Sequence, residues 1–532
     1  MNIVKRLAIF LYDNYYLLSV LLMYCSFTTS LNVHLPLLSV FAWVSLVPLF
    51  CFVGNKPLKQ VYILSFVTGI LGFGAVYYWI GDFGQALPFG KPIIVALVIP
   101  CISVFFATKI FVAEYLSRKS NVPKMLIYPS VWIAIDWVQT VGTMAFPWNF
   151  WGYTQYPFTN FIQIASIVGI YGITFIIIAA NSSISEYITA RIMNNNYRQP
   201  LWACAIICVI VIFATAYGWV RLHNHPPSKN STLRVAMIQS CFSPWENWIE
   251  NRYRYLHILK QLTQQAMQHN PNLIVWSESA TLENISYGYY NGNLNRFGEE
   301  VLSLAAGYRV ALLTGEIGVV EDFVNRRYYP QNSMVLINSN GEVVDTYAKM
   351  YLVPFGEYFP YGELFPFVNT IIDAFGGSNF MPGEKMVVLS VNGLKCAPLI
   401  CYENIFHTLC RKYAKAGIDF YVNITNLLWT NNPVGPMQHF YFSTFRAIEN
   451  GVWFVSAGNS GFTALIDPYG RITASIPLME KTYCIGDIDT STNTVTVYRR
   501  AGDSLLYTAF LFLGILSVMI VFRTYTEKRM VS

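Results

Sequence analysis

"CAPLICYENIF", residues 396–406, carries an apolar run into a cysteine, then an acid, then a further apolar pair. Residues 395–401 read as a strand that ends on Cys401, and a helical pattern over 404–416 follows. In layered α/β sheets, loops and helix starts converge at the C-terminal ends of strands, and chemistry gathers there. The stretch therefore poses a choice. Cys401 is either a small buried side chain, as free cysteines usually are, or the nucleophile of an enzyme.

Working outward, the same alternation recurs on both sides. "LRVAMIQ" (233–239) follows the linker "HNHPPSKNS" and reads as a strand; an amphipathic helical pattern covers 248–268, and "NLIVWSES" (272–279) reads as a second strand. Further apolar strand candidates lie at 310–317, 332–338, 386–391, 419–425 and 452–457, with a helical pattern at 436–450. This is the signature of an α/β domain with strands buried on both faces.

Outside 229–500 the composition changes. Hydrophobic residues make up 54% of the 532-residue chain and charged residues 12%, against roughly 25% charged in an ordinary soluble protein. Long apolar windows near 8–28, 33–53, 60–80, 92–112, 125–141, 161–182, 201–220 and 504–522 each approach the ~20 residues that a bilayer-spanning helix needs. The expectation is eight transmembrane helices: residues 1–228 with the first seven, a globular domain over 229–500, and 501–532 with the eighth and a tail. Asp13 and Asn14 interrupt the first window, and Asp136 sits in the short fifth. A cleavable signal peptide would also start with Lys5 and Arg6, but no small-x-small cleavage site follows the first window.

The basic residues of the short connections alternate. Lys5 and Arg6, Lys56 and Lys59, Arg118, Lys119 and Lys124, Arg191 and Arg198, and Arg523, Lys528 and Arg529 occupy every second connection; the others offer only Lys91. Cationic loops stay cytoplasmic. Both termini are therefore expected in the cytoplasm, and the 229–500 domain in a periplasm-like space. The net charge of +6 mostly reflects these anchoring residues, and no regularly spaced basic face points to nucleic acid. Among ten cysteines there is no CxxC pair and no zinc-ligand spacing. Five lie in the exported domain, so at least one thiol there is not in an intramolecular disulfide.

Three polar residues end apolar strands: Glu278 after "LIVWS", Lys349 after "EVVDTYA" and Cys401 after "CAPLI". A thiol with an ordinary pKa of ~8.5 needs help to attack at neutral pH. Glu278 suits a general base. The Lys349 ammonium suits the oxyanion of a tetrahedral intermediate and would lower the thiol pKa, as would a helix starting near Asn404. A different arrangement pairs Cys401 with His407 or His439 in the papain manner, without a local signature for either. His223 and His225 fall short of the three or four ligands of a zinc site and read as surface.

Taken together, "WSES" with Glu278, "YAKMYLVPFGEYFP" with Lys349 and Glu357, and "LICYE" with Cys401, Tyr402 and Glu403 resemble the carbon-nitrogen hydrolase (nitrilase) superfamily. With membrane spans on both sides, and with "FPWNFWGYTQ" (146–155), "FRAIENG" and "DPYGRI", the chain resembles its apolipoprotein N-acyltransferase family. The resemblance implies a nitrilase-like αββα sandwich and a Glu278–Lys349–Cys401 triad. It implies that Glu357 and Glu403 orient Lys349 and shape the pocket, and that Trp248, Tyr402 and Trp148 lie near substrate. The implied reaction moves an acyl chain from a glycerophospholipid, typically phosphatidylethanolamine, through a Cys401 thioester to the α-amine of a diacylglyceryl-cysteine apolipoprotein. It implies a bacterial inner-membrane enzyme working as a monomer, with no metal or organic cofactor. Leu427, Asn247 and Val452 depart from the family pattern and bear on the acceptor pocket.

Both substrates are lipids, which gives two aromatic segments a meaning. The charge-free loop 140–160, with Phe146, Trp148, Phe150, Trp151, Tyr153, Tyr156 and Phe158, and the insertion 351–382 are more apolar than exposed loops should be. They are expected to face lipid, against an interfacial belt and core packing as the respective rivals. Two other functions compete: a membrane-tethered amidase or nitrilase with water as acceptor, and a non-catalytic membrane scaffold or transporter, against which the intact triad counts.

Overall fold

The computed structural model describes residues 13–27, 36–84, 90–228, 230–322, 327–358, 379–430 and 432–531, in two compact units, Met1–His225 with Ala501–Ser532 and Pro226–Arg500. Most of the aromatic insertion, residues 359–378 with Phe359, Tyr361, Phe365 and Phe367, lies outside the described residues.

The first unit is helical: α1 (Leu18–Ser26), α2 (Val47–Val53), α3 (Leu58–Val76), α4 (Gly90–Lys119), α5 (Lys124–Val138), α6 (Ala165–Ile192), α7 (Arg198–Asn224) and α12 (Ser504–Val531). Among the described residues five of these, α3, α4, α6, α7 and α12, are long and apolar enough to cross a membrane. Of the eight expected helices these five have the length and apolarity. The described part of the first window holds the short α1, that of the second is split, and α5 has only 15 residues.

Pro48 accounts for the split. It stands at the start of α2, where its fixed φ and missing N–H are tolerated, and the preceding Pro36–Trp43 segment is a 3₁₀ helix. Such a break frees backbone groups that lipid cannot satisfy. Asn181 of α6 satisfies two of them: its Nδ2 donates to the Ala42 carbonyl (2.9 Å), and its Oδ1 accepts from the Leu46 N–H (2.8 Å).

The 146–155 segment packs into this unit. Trp151 sits among Phe27, Phe73, Phe106 and Trp132, with ring centroids 5.1 to 6.2 Å apart, and its indole N–H donates to Ser45 Oγ (3.2 Å). Trp148, Phe150, Trp151 and Tyr153 are buried. The expected lipid-facing loop is therefore, at these four rings, part of the core of the bundle. Beneath it lies an ion pair with no exposure to speak of: Lys109 Nζ donates to Asp136 and to Gln139 Oε1 (3.0 Å), both partners of the pair being at most 1% exposed.

Among the described residues the second unit holds twelve strands in two six-stranded sheets, ordered β12-β1-β2-β3-β4-β5 and β11-β10-β9-β8-β7-β6. The strands are β1 (Leu233–Gln239), β2 (Leu273–Val275), β3 (Ala311–Asp322), β4 (Arg327–Ile337), β5 (Val343–Ala348), β6 (Leu389–Val391), β7 (Leu394–Ile400), β8 (Phe420–Thr425), β9 (Trp453–Gly458), β10 (Thr463–Ile466), β11 (Ile472–Ile476) and β12 (Thr482–Ile488). β1, β2 and β3 run parallel, as do β7, β8 and β9. The remaining strands add antiparallel.

One apolar cluster draws on both sheets, from Val235, Val275 and Leu313 to Ile400, Val422 and Val455. The opposite face of the first sheet is covered by α8 (Trp248–Met267) and α9 (Arg296–Tyr308), through Leu256, Leu259, Phe297 and Val301. Over the second sheet, α10 (His407–Lys415) is tied to β8 by the Tyr421 hydroxyl donating to the Cys410 carbonyl (2.6 Å). Together with α11 (Val434–Asn450) this makes a nitrilase-like sandwich of helices and sheets. All ten cysteines are free thiols. The departures have ordinary structural places: Asn247 caps α8 through the Ile249 N–H (3.0 Å), and Leu427 and Val452 are buried.

Candidate active site

Three strand ends meet. Glu278 lies three residues beyond β2, Lys349 immediately after β5 and Cys401 immediately after β7. The segment carrying Glu278 presses so closely on β3 that a Cβ on Gly315 would stand 2.8 Å from the Ser279 nitrogen and 3.0 Å from the Glu278 Cα. Only glycine allows that approach.

Glu278 is buried and tied at both oxygens. Asn332 Nδ2 donates to Oε1 (2.7 Å), and the Asn426 backbone N–H donates to Oε2 (2.7 Å). Lys349 Nζ stands 3.7 Å from Glu278 Oε1 and 2.8 Å from Glu357 Oε1. Asn332 also donates to Glu357 Oε1 (2.7 Å), while Glu357 Oε2 accepts from the Val353 N–H (2.8 Å). The Glu278 carboxylate also acts on the Cys401 thiol and holds its proton more tightly.

Electrostatics set the resting protonation. Burial pushes the Cys401 thiol well above its ordinary value; the Glu278 charge adds to this and Lys349 opposes it without prevailing. Lys349 does lower the thiol, as the sequence suggests, but burial outweighs it. The expected helix start is corrected: the sulfur is followed by a 3₁₀ turn, Cys401–Ile405, and α10 begins only at His407. Burial also raises Glu278, against the pull of Lys349 and with a further push from Glu357. For Lys349 burial works against the charge, but Glu357 and Glu278 outweigh it and hold the ammonium above its usual range. The arrangement is a neutral thiol, a carboxyl with raised proton affinity and a fixed cation. Such a carboxyl is better matched to a thiol than an ordinary glutamate.

Glu403 supports the turn rather than the sulfur. Its oxygens accept from the Ile400 N–H (2.8 Å), the Met350 N–H (2.7 Å), the Tyr351 N–H (3.2 Å) and the Tyr347 hydroxyl (2.6 Å). It thereby joins the Lys349 and Cys401 segments, although burial pushes its own carboxyl up to about 7. Cys401 itself has φ +51°, a left-handed conformation that is strained for a non-glycine residue and persists only where surroundings hold it.

The remaining candidates scatter. Tyr402 is buried edge-on to Phe406 (5.4 Å). Trp248 heads α8, where its indole N–H donates to Glu283 (3.1 Å) and its ring packs on Phe297 (5.7 Å). Trp148 belongs to the other unit, between Trp79 and Phe146. His439 Nε2 meets the Cys401 carbonyl at 2.9 Å, not the sulfur, which removes the papain-like pairing for it; His407 opens α10. Asn332 and Asn426 are hydrogen-bond partners of Glu278 that the sequence does not announce. The available signal for Asn332 was a polar side chain inside the apolar strand β4, whose register sets Ser333 opposite Ala348 and hence Asn332 beside Lys349.

Comparison with known proteins is consistent at both ends of the chain. A model described as the apolipoprotein N-acyltransferase N-terminal domain matches residues 19–183, and a carbon-nitrogen hydrolase model matches 234–498. Apolipoprotein N-acyltransferase of Geobacter metallireducens is 30% identical over 475 residues, covering 88% of each chain. That of Rickettsia bellii is 31% identical over 483 residues, 86% of this chain and 89% of the relative. That of Borreliella burgdorferi is 26% identical over 476 residues, 88% of each.

Proposed function

Because the chain belongs to the apolipoprotein N-acyltransferase family, we propose that it moves an acyl chain from a glycerophospholipid to the N-terminal α-amine of a diacylglyceryl-cysteine apolipoprotein, with Glu278, Lys349 and Cys401 as its catalytic residues. The observation that carries the assignment of residues is the convergence of three strand ends, with Glu278 Oε1 3.7 Å from Lys349 Nζ and both groups acting on the Cys401 thiol.

In the first half-reaction Glu278 takes the thiol proton as Sγ attacks the ester carbonyl carbon. The oxyanion forms against Lys349 Nζ and the Tyr402 backbone N–H. As the intermediate collapses, the C–O bond to glycerol breaks, Glu278 returns the proton to that oxygen, and a lysophospholipid leaves a Cys401 thioester. In the second half Glu278 deprotonates the incoming ammonium, whose ordinary pKa of ~7.7–8.0 makes this undemanding. Glu278 releases that first proton to solvent; the amine attacks the thioester, its second proton moves to Glu278, the C–S bond breaks, and Glu278 protonates the departing thiolate. The cycle is ping-pong.

The finer arrangement belongs to the same proposal. Eight crossings, three of them made by the broken or short segments around α1, α2 and α5, put both termini in the cytoplasm and the 229–500 domain in the periplasm. The 1–228 and 501–532 segments then hold it to the bacterial inner membrane. The alternation of cationic connections supports this. Phosphatidylethanolamine serves as donor and the enzyme works as a monomer. Trp248, Tyr402, Glu357 and Glu403 support the site. A membrane-tethered amidase with water as acceptor would share the triad, but a single anchor would suffice for it.

A chase experiment separates the two. Purified protein is loaded with a phospholipid bearing a tagged acyl chain, then given a diacylated lipopeptide. Transfer of the tag to the lipopeptide amine is expected; release only as free fatty acid would identify a hydrolase.

A further inference from the structure

A second feature surrounds the same sulfur from behind. The Cys401 carbonyl receives two buried donors: His439 Nε2 from α11 at 2.9 Å and Asn423 Nδ2 from β8 at 3.4 Å. A carbonyl oxygen only accepts, so the proton on His439 resides on Nε2. His439 is 3% exposed, and burial pushes its imidazole down to about 4, a shift that Lys349 reinforces and the bond to Cys401 opposes. It is a neutral donor at working pH, and not a base for the thiol.

The carbonyl of Cys401 and the N–H of Tyr402 are the two ends of one peptide unit. No cis peptide occurs among the described residues, so within this rigid plane the two groups point in opposite directions. Whatever fixes the carbonyl aims the N–H. A hydrogen bond on the carbonyl also polarises the amide and strengthens its donor end. Cys401 has φ +51°, a conformation that persists only where surroundings hold it, and the two side-chain donors add to the 3₁₀ turn that starts there.

We propose that His439 is the positioning residue of the oxyanion site: by holding the Cys401 carbonyl it fixes and polarises the Tyr402 N–H that meets the developing negative charge. The inference rests on the catalytic assignment above and adds to it a residue that touches neither the substrate nor the sulfur.

The test separates oxyanion stabilisation from thiol reactivity. Acyl loading of Cys401 from a short-chain thioester or phospholipid passes through an oxyanion, whereas alkylation by iodoacetamide does not. In the full-length enzyme, His439→Leu is expected to lower the maximal rate of loading by ~30- to 300-fold, in the range of a lost oxyanion donor, with KM within about threefold. Alkylation of Cys401 and Tm should stay near wild type. His439→Gln, which keeps a side-chain N–H donor, should restore loading to within ~10-fold of wild type. Loading unchanged in His439→Leu, or loading and alkylation falling together, would overturn the proposal. His439→Met serves as a second donor-free variant, and failure of both to fold would assign His439 to the core alone and equally overturn it. A wild-type enzyme that never loads Cys401 would instead refute the catalytic assignment on which the inference stands.

Discussion

The backbone N–H of Asn426, just past β8, donates to Glu278 Oε2, just past β2, at 2.7 Å. That bond ties a strand end of one sheet to a strand end of the other, so the base belongs to neither sheet alone. With Asn332 on its other oxygen, Glu278 is held in place before substrate arrives. A preorganised base needs no reorganisation at the moment of proton transfer.

The pH dependence of loading follows from this setting. The active form has Glu278 ionised, so the rate of Cys401 acylation falls as pH drops through the Glu278 pKa. Burial raises that pKa above 4.5, and the acid limb of kcat/KM is expected above the ordinary glutamate range. Glu357 contributes to the rise. In Glu357→Gln the limb should therefore move to lower pH, even as the maximal rate falls. A limb that stays or moves upward in single-turnover loading would refute the coupling.

Gly315→Ala should disable the base without touching it. The new methyl would stand 2.8 Å from the Ser279 nitrogen, and backbone cannot yield as a flexible side chain does. A displacement of about 1 Å is expected to slow loading by roughly 100-fold, measured by tagged-acyl incorporation, with the far-ultraviolet circular dichroism retained.

Asn332→Ala should uncover the electrostatic role of a residue outside the triad. It removes a donor shared by the Glu278 and Glu357 carboxylates, and loss of a bond to a buried charge costs about 1–3 kcal/mol. Loading should slow by roughly 10- to 100-fold, more in Asn332→Asp, where a third carboxylate enters the cluster. Steady loading in both would deny it that role.

In the membrane unit, Asp136→Leu should be severe and reversible by a second change. It leaves the Lys109 ammonium buried without its partner, and breaking such a pair costs about 3–5 kcal/mol. Lys109→Met with Asp136→Leu removes both charges and should recover most of the loss, because replacing a buried pair by apolar groups is often neutral. Thermal unfolding in detergent checks this; a double variant no better than the single would mean that the charges serve more than each other.

Much of the site could be read from residues because its three chemical groups end apolar strands, and a polar side chain terminating such a run stands out. Glu278, Lys349 and Cys401 have that placement in the fold. Asn332 stays hidden because it lies inside β4 and its meaning comes from register, while Asn426 contributes only a backbone N–H, which no residue type announces. His439 reads in the sequence only as a base, the role histidine usually suggests. In the fold, β10 has four residues and β11 is mostly exposed, so neither shows a clear apolar pattern. Gly298 and Gly307 dilute the helical signal of α9 despite its Phe297, Val301 and Ala305 face. The aromatic loop misled because aromatic enrichment marks both membrane interfaces and cores; Trp148 and Trp151 are in a core.

The central claim is that a neutral Cys401 thiol is activated in place by Glu278 and carries the acyl chain. Intact-protein and peptide mass spectrometry after brief exposure to a phospholipid with a tagged acyl chain tests it most directly. Wild type should carry one hydroxylamine-labile acyl group on Cys401, and Glu278→Gln, although folded and still binding lipid, should carry almost none. An acyl group on another residue, or Glu278→Gln loading Cys401 as fast as wild type, would contradict it.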